Sequence, residues 1–413
     1  PATVGMDTMN ILWTLPYLPW PTTSGGKTRQ YHLLRSLAAR GHRITLLVQS
    51  KTVLDADTRA ALEPFVERLI VMPRRPLRSL KTLLAVALAP YPMLAAINGV
   101  SAPLEQQWSE LLQAPWDVIQ IEHSYSFQPF ERALSATGRD FILTEHNVES
   151  ALGAASYDRL PGWFKPFTSY DQWRYRRWEK RVFGLAKELI AVTDQDAPTL
   201  RQLTHTPVSV VVNGVDSAHY AAVQPDVHSQ RLLFVGNYEY HPNVDAMEWA
   251  LDTILPALWA LAPNVRFAIC GFGLPHDWRQ RWPDPRIEWQ GFVPDLRDLQ
   301  RQAAVFFAPL RQGGGSKLKV LEAMAAGLPV VTTGQGTSGL KVINGDHYLG
   351  SENPQELAQL LNVALSDPAL LQRIGEAGRA YVRAEHDWSV AAAQLEQVYT
   401  RLPSLKEEVS VCA

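Results

Sequence analysis

The sequence predicts an α/β fold with two domains, each built around a doubly wound parallel sheet. The same order of elements, a strand, a glycine loop, a helix and a second strand, occurs over residues 10–48 and again over residues 303–331. This order opens a doubly wound sheet, which binds its ligands beyond the carboxyl ends of the strands. The chain has 413 residues, of which 46% are hydrophobic, so it is long enough for two domains with full cores.

Charge and cysteine content argue against several classes of protein. The formal net charge is −2, which disfavours a general nucleic-acid binder. The two cysteines, Cys270 in an apolar run and Cys412 in the tail, are typical of a reduced, cytoplasmic protein. No apolar run is long enough to span a bilayer, and Pro1–Met9 shows neither a regular pattern nor a secretory signal.

The first strand–loop–helix–strand unit starts with the apolar strand Asn10–Leu15. A proline-rich turn leads to Gly25 and Gly26, and a helix with a leucine face follows and ends at Gly41. The next strand is predicted over residues 43–48. The two glycines are either a structural turn or part of a ligand site, and the basic residue beside them favours the second interpretation.

Residues 73–95 mix arginine, lysine and leucine and predict an amphipathic basic helix. A solvated surface helix is the commoner explanation of such a pattern. The alternative is peripheral contact with the inner face of a membrane.

Two further predicted strands end in polar residues. Residues 117–121 are followed by Glu122 and His123, and residues 141–145 by His146 and Asn147. Because doubly wound folds place their chemistry at the carboxyl ends of strands, we expect these side chains at one site. A histidine that only caps a helix is the alternative.

Residues 163–181 interleave tryptophan, tyrosine and arginine, a pattern that can stack on bases. The overall acidic balance favours an ordinary amphipathic helix that covers the sheet, so no nucleic-acid partner is expected.

The predicted domains are residues 1–215, residues 216–385 and a final helical segment, residues 386–413. The turn Asn213-Gly214-Val215-Asp216 ends the first domain, and the pattern-poor residues 217–230 form a linker. Strands and helices alternate in the second domain, with helices over 244–261, 354–366 and 368–384 and strands over 232–236, 265–270, 287–289, 303–308, 330–331 and 347–350.

The most informative stretch is Pro309–Thr333, which joins a glycine loop to a helix that ends at Gly327. Glycines and a helix N-terminus bind anions well, and Lys317 and Lys319 add two charges. A carboxylate, Glu322, follows about one turn later and can accept hydrogen bonds from ribose hydroxyls. The alternative is a tight turn in which Glu322 pairs with Lys319.

This stretch resembles the donor-site signature of the retaining family 4 glycosyltransferases, two-domain enzymes of GT-B fold. The signature is a glutamate, seven residues and a second glutamate, on the helix that carries Glu322. The resemblance implies Rossmann-like domains facing across a cleft and a UDP- or GDP-linked sugar as co-substrate, with no other cofactor. It also implies retaining transfer without a metal to a glycan, lipid-linked or small-molecule acceptor, in surface polysaccharide or glycoconjugate biosynthesis.

The resemblance also assigns roles to individual residues. Glu322 would bind the ribose, the loop with Lys317 the phosphates, and Lys319 would assist or orient Glu322. The residues implied in donor binding are Gly25, Gly26, Asn237, Gly314, Gly315, Ser316, Lys317, Leu318, Lys319 and Glu322. The candidate catalytic residues are Glu122, His123, His146 and Lys317, where either Glu122 or His123 faces the donor.

The chain departs from the family pattern at several of these positions. The first glutamate of the pair falls at Gly314, and the usual arginine and lysine after the Gly236 strand are Asn237 and Asn243. Lys317 and Lys319 stand where the family has a glycine and an apolar residue. We expect that the positive charge has moved to the other side of the diphosphate, as in the family subset with the loop Gly-Gly-Gly-[Ser/Thr]-[Lys/Arg]-Leu-Lys.

Two other functions fit the same fold. A nucleotide-sugar epimerase or phosphorylase would bind the same nucleotide, but an epimerase needs carboxylates beside the sugar for proton transfer, and Gly314 lacks one. A non-catalytic nucleotide-sugar-binding protein is the third hypothesis, based on the departures from the family pattern.

Overall fold

The computed structural model describes residues 8–74, 86, 89–99, 101–146, 165–313 and 317–402. The chain divides into two compact units. The first unit comprises Pro1–Val212 and Ala391–Ala413, and the second comprises Asn213–Val390. The sequence-based boundaries, after residues 215 and 385, lie within a few residues of these.

The first unit is a seven-stranded parallel sheet in the order β3-β2-β1-β4-β5-β6-β7. This order, with helices between the strands, is the doubly wound topology that the sequence predicts. In chain order the elements are β1 (Asn10–Leu15), α1 (Gly25–Ala39), β2 (Arg43–Ser50), α2 (Ala56–Leu62), β3 (Arg68–Pro73), α3 (Met93–Asn98), α4 (Ala102–Leu111), β4 (Val118–Glu122), α5 (Gln128–Thr137), β5 (Ile142–Glu145), α6 (Lys165–Leu185), β6 (Glu188–Ala191), α7 (Asp196–Leu203) and β7 (Val208–Val210).

Helix α1 shows how the local sequence positions the first glycine pair. Ser24 is the N-cap, and its side chain accepts a hydrogen bond from the backbone N–H of Lys27. Gly25 and Gly26 therefore form the first turn of the helix, directly beyond the carboxyl end of β1. The leucines of the predicted apolar face are buried against the sheet.

Strand β3 was not predicted from the sequence. It is an edge strand, and its residues Leu69–Met72 are only half-buried. An apolar run of four residues at an edge gives a weak periodic signal, because neither face is fully covered.

The second unit is a six-stranded parallel sheet in the order β10-β9-β8-β11-β12-β13. Its predicted strands and helices are all present, with ends that differ from the prediction by at most three residues. The elements of this unit are α8 (Ser217–Tyr220), β8 (Arg231–Asn237), α9 (His241–Trp249), a π-helical segment (Ala250–Ile254), α10 (Leu255–Leu261), β9 (Arg266–Phe272), α11 (Trp278–Arg281), β10 (Ile287–Trp289), α12 (Arg297–Arg301), β11 (Val305–Ala308), α13 (Leu318–Ala325), β12 (Val330–Thr332), β13 (Leu349–Gly350), α14 (Pro354–Ser366) and α15 (Pro368–Glu385). The last helix, α16 (Trp388–Tyr399), belongs to the first unit from Ala391 onward.

Helix α16 completes the first unit with the last described part of the chain. Glu396 binds His42, with Nε2 2.7 Å from Oε1, and Arg40 at 2.5 Å. The Gln394 side chain accepts a 3.0 Å hydrogen bond from the backbone N–H of Val212. The first unit is therefore closed by residues that come last in the sequence.

Several residues of interest lie outside the part of the chain that the structure describes. These are the tail cysteine Cys412, Asn147, the loop residues Gly314, Gly315 and Ser316, and most of the basic segment 73–95. Within the described ranges, no helix combines the length and the hydropathy that crossing a bilayer requires.

Candidate active site

The carboxyl ends of β1, β4 and β5 bring four titratable side chains of the first unit together. Tyr17 follows β1, Glu122 ends β4, His123 comes next, and His146 follows β5. These strands are neighbours in the sheet, so their ends meet at one edge.

Glu122 lies inside this cluster and is only 1% exposed. Its Oε1 accepts a 2.8 Å hydrogen bond from Gln120, and its Oε2 a 2.6 Å bond from Gln30. Nε2 of His146 is 3.0 Å from the same Oε2. Burial raises the pKa of Glu122, and the nearby positive charge of Arg29 opposes that rise. Both oxygens are occupied by protein groups, so Glu122 positions its neighbours and does not present a free carboxylate.

The two glutamines around Glu122 are held in one orientation. The Trp13 indole N–H, which can only donate, lies 3.0 Å from Oε1 of Gln30 and turns the Gln30 amide N–H group toward Glu122. The hydroxyl of Tyr399 donates to Oε1 of Gln120 over 3.3 Å. Both amides therefore point their donors at the carboxylate.

His123 has an uncommon backbone conformation, with φ of +66°. Its Nε2 is 3.0 Å from the Tyr17 hydroxyl, and its ring packs against those of Tyr125 and His146, at centroid distances of 4.8 and 4.3 Å. Burial, and then the neighbouring His146, lower the pKa of His123 well below its usual value. Strained, buried residues of this kind cluster at functional sites.

His146 is the group of this cluster that lies beside the start of α1, and its side chain is 11% exposed. Burial, and then Arg29, lower its pKa to about 3, so the ring is neutral at neutral pH. Its Nε2 is engaged by Glu122, and its Nδ1 faces Gly26, where an added Cβ would lie 3.6 Å away. The protonation of Glu122 decides the role of Nδ1: beside an ionised carboxylate Nε2 carries the proton and Nδ1 is an acceptor.

We expect Gly26→Ala to lower activity without lowering stability. The added methyl would lie 3.0 Å from the Tyr17 hydroxyl and would narrow the space in front of His146 Nδ1. Alanine in the first turn of a helix is favourable, by about 0.5–1 kcal/mol relative to glycine. The measurement is kcat/KM beside the thermal midpoint, and a fall in both together would contradict the prediction.

The second unit places Lys319 and Asn243 together. The Lys319 ammonium donates to Oδ1 of Asn243, whose Nδ2 donates to the backbone oxygen of Asn237 over 2.7 Å. The ammonium also lies 5.0 Å from the centre of the Phe234 ring. Lys319 of α13 therefore places its ammonium at the end of β8, beside the two asparagines. The expected shift of positive charge across the diphosphate stays a prediction.

Lys317 lies at the N-cap position of α13 and is 6% exposed. Its ammonium donates to the backbone oxygen of Gly313 over 3.1 Å, and the Gln335 side chain donates to the same oxygen. Burial lowers the pKa of Lys317. Burial, and then repulsion from Lys317, lower the pKa of Lys319 to about 8.

Glu322 lies one turn farther along α13 and is part-buried. Burial raises its pKa to about 7, and the attraction of Lys319 opposes that rise. The ion pair of Glu322 with Lys319 that the sequence allows is not formed, because the Lys319 ammonium is bound to Asn243. Lys319 therefore acts on Glu322 only through the electrostatic attraction of its charge, and no direct contact from Lys319 orients the Glu322 carboxylate.

The structure thus groups the sequence-based candidates into two sets, one in each unit. In the first unit Gly26 lies beside His146, His146 beside Glu122, and His123 beside His146. In the second, Lys317, Leu318, Lys319 and Glu322 occupy the start of α13, and Asn237 ends β8. The structure adds Tyr17, Arg29, Gln30, Gln120 and Gln335, which no motif singled out.

No three His, Cys, Asp or Glu side chains in the described ranges come together as metal ligands would. Metal-independent activity stays a prediction.

Two family models match the chain. The model for Glycosyltransferase Family 4 matches residues 23–219, and the model for Glycosyl transferases group 1 matches residues 229–367. Glycogen synthase of Mycobacterium tuberculosis is 27% identical over 419 residues, which cover 95% of this chain and 94% of that protein. Phosphatidyl-myo-inositol mannosyltransferase of Mycobacterium leprae is 28% identical over 249 residues, which cover 58% of this chain and 64% of that protein.

Solved structures agree on the fold. Sucrose-phosphate synthase from Thermosynechococcus elongatus gives a TM-score of 0.66 at 17% identity, and covers 95% of this chain and 98% of its own. Anabaena HepE in complex with UDP and glucose gives a TM-score of 0.65 at 18% identity, and the match covers 95% of this chain and 100% of the HepE chain. The two parallel-sheet units are those of the GT-B glycosyltransferases.

The matched models and relatives make this chain a glycosyltransferase. The family 4 model covers most of its first unit.

Proposed function

We propose that the protein is a retaining glycosyltransferase whose donor is a UDP- or GDP-linked sugar. The observation that carries this proposal is the start of α13, where Lys317, Lys319 and Glu322 stand within about two turns. Two cations beside a helix N-terminus suit a diphosphate, and a carboxylate farther along the same helix suits the ribose.

Each group of the second unit has a separate task in this proposal. Lys317 and Lys319 balance the charge of the diphosphate, which grows on the leaving oxygen as the glycosidic bond breaks. Glu322, when ionised, accepts hydrogen bonds from two ribose hydroxyls. Gly314, Gly315 and Ser316, which lie outside the described residues, stay predicted donors of backbone N–H groups to phosphate.

The proposed reaction transfers the sugar with retention by front-side attack. The bond from the anomeric carbon to the phosphate oxygen breaks, the bond to the acceptor oxygen forms on the same face, and the departing phosphate takes the acceptor proton. This route needs no protein nucleophile. The burial of Glu122 and its bonds from Gln120 and Gln30 support that choice for the first unit.

In the first unit we propose that His146 binds a hydroxyl of the substrate through Nδ1. The donors that surround Glu122 favour its ionised form, which puts the proton on Nε2 and leaves Nδ1 as an acceptor. His123, whose Nε2 is 3.0 Å from the Tyr17 hydroxyl, holds the ring of His146 in place by packing. Gly25 and Gly26 keep the approach open.

The acceptor is proposed to be a glycan or a lipid-linked sugar, in surface polysaccharide or glycoconjugate assembly. The relatives named above support this class, since one is a glycogen synthase and another a phosphatidyl-myo-inositol mannosyltransferase. Contact of the basic segment 73–95 with a membrane and a cytoplasmic location stay predictions.

The test is incubation of the protein with a panel of nucleotide sugars, with and without acceptors and in the presence of EDTA. We expect slow donor hydrolysis alone, faster release of nucleoside diphosphate with the right acceptor, and a product with the anomeric configuration of the donor. Conversion of the donor to an epimer without an acceptor would instead establish the epimerase. Tight donor binding with no turnover under any condition would establish the binding protein.

Lys317→Ala is expected to weaken the binding of nucleoside diphosphate about tenfold or more. The reason is the loss of one charge-assisted hydrogen bond, worth about 1.5 kcal/mol. Isothermal titration with UDP and GDP measures it, and Lys341→Ala, an exposed lysine of the same unit, is the control. Equal affinities for the Lys317 variant and the parent would show that this lysine only supports the loop.

A further inference from the structure

The exposed side of α6 carries one kind of charge. Its exposed residues repeat at helical spacing and contain no aspartate or glutamate: Ser169, Tyr170, Trp173, Arg176, Arg177, Lys180, Arg181, Gly184 and Leu185. We call these residues the α6 face. Four of the nine are cations, and two are large aromatic residues.

The acidic residues of the described part of α6 lie on the opposite side. Asp171 and Glu179 are both fully buried. Asp171 accepts a 2.9 Å hydrogen bond from the backbone N–H of Met93 and a 2.5 Å bond from Arg174. An ordinary solvated helix mixes both signs on its outer face, which gives ion pairs one turn apart. Arg174 shows that the buried side carries both signs, so it is the lack of acidic residues on the α6 face that needs another explanation.

Among the residues that the structure describes, most cations of the α6 face have no acidic partner. Arg181 pairs with Glu131, but no carboxylate within the described ranges forms an ion pair with Arg176, Arg177 or Lys180. Their charges therefore add up over a short distance along the helix.

The aromatic residues of the α6 face are exposed to an unusual degree. Tyr170 is 50% exposed and Trp173 is 51% exposed. Their rings stack at a centroid distance of 5.9 Å, and the Arg177 guanidinium lies 5.0 Å from the centre of the Trp173 ring. Tyrosine and tryptophan next to lysine and arginine are the residues that favour the interface between lipid headgroups and acyl chains.

We propose that the α6 face binds the surface of a membrane that contains anionic lipid. The cations match the negative potential of such a surface, and Tyr170 and Trp173 enter the headgroup region. A single-stranded nucleic acid is the competing occupant, because bases also stack on exposed aromatic rings. The membrane is favoured because the face lies along one side of a single helix and ends in Leu185, whereas strands of nucleic acid are held in charged grooves.

The buried side of α6 connects this face to the first-unit cluster. The Trp178 indole donates a 2.9 Å hydrogen bond to the backbone oxygen of Ser124, the residue after His123. A membrane-bound α6 would hold His123 and its neighbours close to the lipid surface. If the proposed function holds, this arrangement suits an acceptor whose lipid part stays in the membrane.

The experiment measures sedimentation of the full chain with vesicles, without any nucleotide sugar, so that it does not depend on transferase activity. The vesicles contain phosphatidylcholine alone or phosphatidylcholine with phosphatidylglycerol. We expect binding to the anionic vesicles that weakens as salt is raised. The double variant Arg176→Glu/Arg177→Glu should bind the anionic vesicles about tenfold or more weakly than the parent chain. Trp173→Ala should reduce the vesicle affinity by a smaller factor.

The matched control is Arg59→Glu/Arg68→Glu, which changes the net charge equally at two exposed arginines of α2 and β3 in the same unit. It should bind vesicles like the parent chain, and circular dichroism should show that both double variants are folded. The proposal is overturned if anionic and neutral vesicles bind equally, if neither binds, or if the two double variants behave alike. Tighter binding of a single-stranded oligonucleotide than of anionic vesicles would also overturn it, and would assign the face to nucleic acid.

Discussion

Lys319→Met is expected to lower the affinity for nucleoside diphosphate by between about ten- and a hundredfold. The side chain is part-buried, and its ammonium, at the end of β8, is bound to Asn243. A charge-assisted hydrogen bond to phosphate is worth about 1.5–3 kcal/mol, and here the loss also leaves Asn243 without its donor. Lys319→Arg, which keeps the charge, should retain most of the affinity.

The pH dependence separates this charge from a merely structural lysine. The Lys319 pKa is about 8, so the ammonium is charged below that pH and neutral above it. The Glu322 pKa is about 7, so the carboxylate that accepts from ribose forms only above that pH. Affinity in the parent chain should therefore be greatest between about pH 7 and pH 8.

Each limb of this profile has its own variant. Lys319→Arg should remove the alkaline fall, because arginine stays charged, and Glu322→Gln should remove the acidic fall at a lower overall affinity. Titration calorimetry across the pH range measures both falls in affinity. Repeating it in buffers of different ionisation enthalpy gives the number of protons taken up or released on binding. A flat profile in the parent chain would mean that neither group contacts the nucleotide.

His146→Ala is expected to lower kcat/KM about a hundredfold or more. The variant loses the proposed contact from Nδ1 to substrate, and it removes one of the side-chain groups that bind Oε2 of Glu122. The exposed His276 of the second unit, changed to alanine, is the matched control and should leave the rate unchanged.

A second measurement distinguishes substrate binding from packing. Nitrogen NMR of the parent chain should show His146 neutral down to about pH 3, with the proton on Nε2. Glu122→Gln keeps the size of the side chain but removes its charge, so it should lower kcat/KM and change this tautomer while the fold is kept. If His146→Ala has full activity, the first-unit cluster has only a structural role.

The sequence predicted most of the fold because apolar strands and amphipathic helices alternate in an order that few topologies can satisfy. It failed at β3, where a short edge strand leaves little periodic signal. It also placed the candidate residues of α13 correctly on one helix, because three residues within a turn or two need no long-range information.

The contacts of the site could not be read in the same way. Lys319 and Asn243 are 76 positions apart, and Gln30 and Glu122 are 92 apart, so their pairing depends on how strands order in the sheet. Gln30 and Gln120 belong to no motif, and only their distances to Glu122 reveal them. Which of Glu122 and His123 faces the donor stays a prediction, and the turn of the backbone at His123, with φ of +66°, is a feature that the sequence does not reveal.

The position of α16 also has a consequence for how the chain matures on the ribosome. His42 and Gln120 belong to the first half of the sequence, yet their partners Glu396 and Tyr399 are translated after the whole second unit. The polar groups of the nascent first unit therefore lack these partners until α16 has been synthesised, by which time the second unit is already complete in sequence. Order of translation and order of completion are reversed in this molecule.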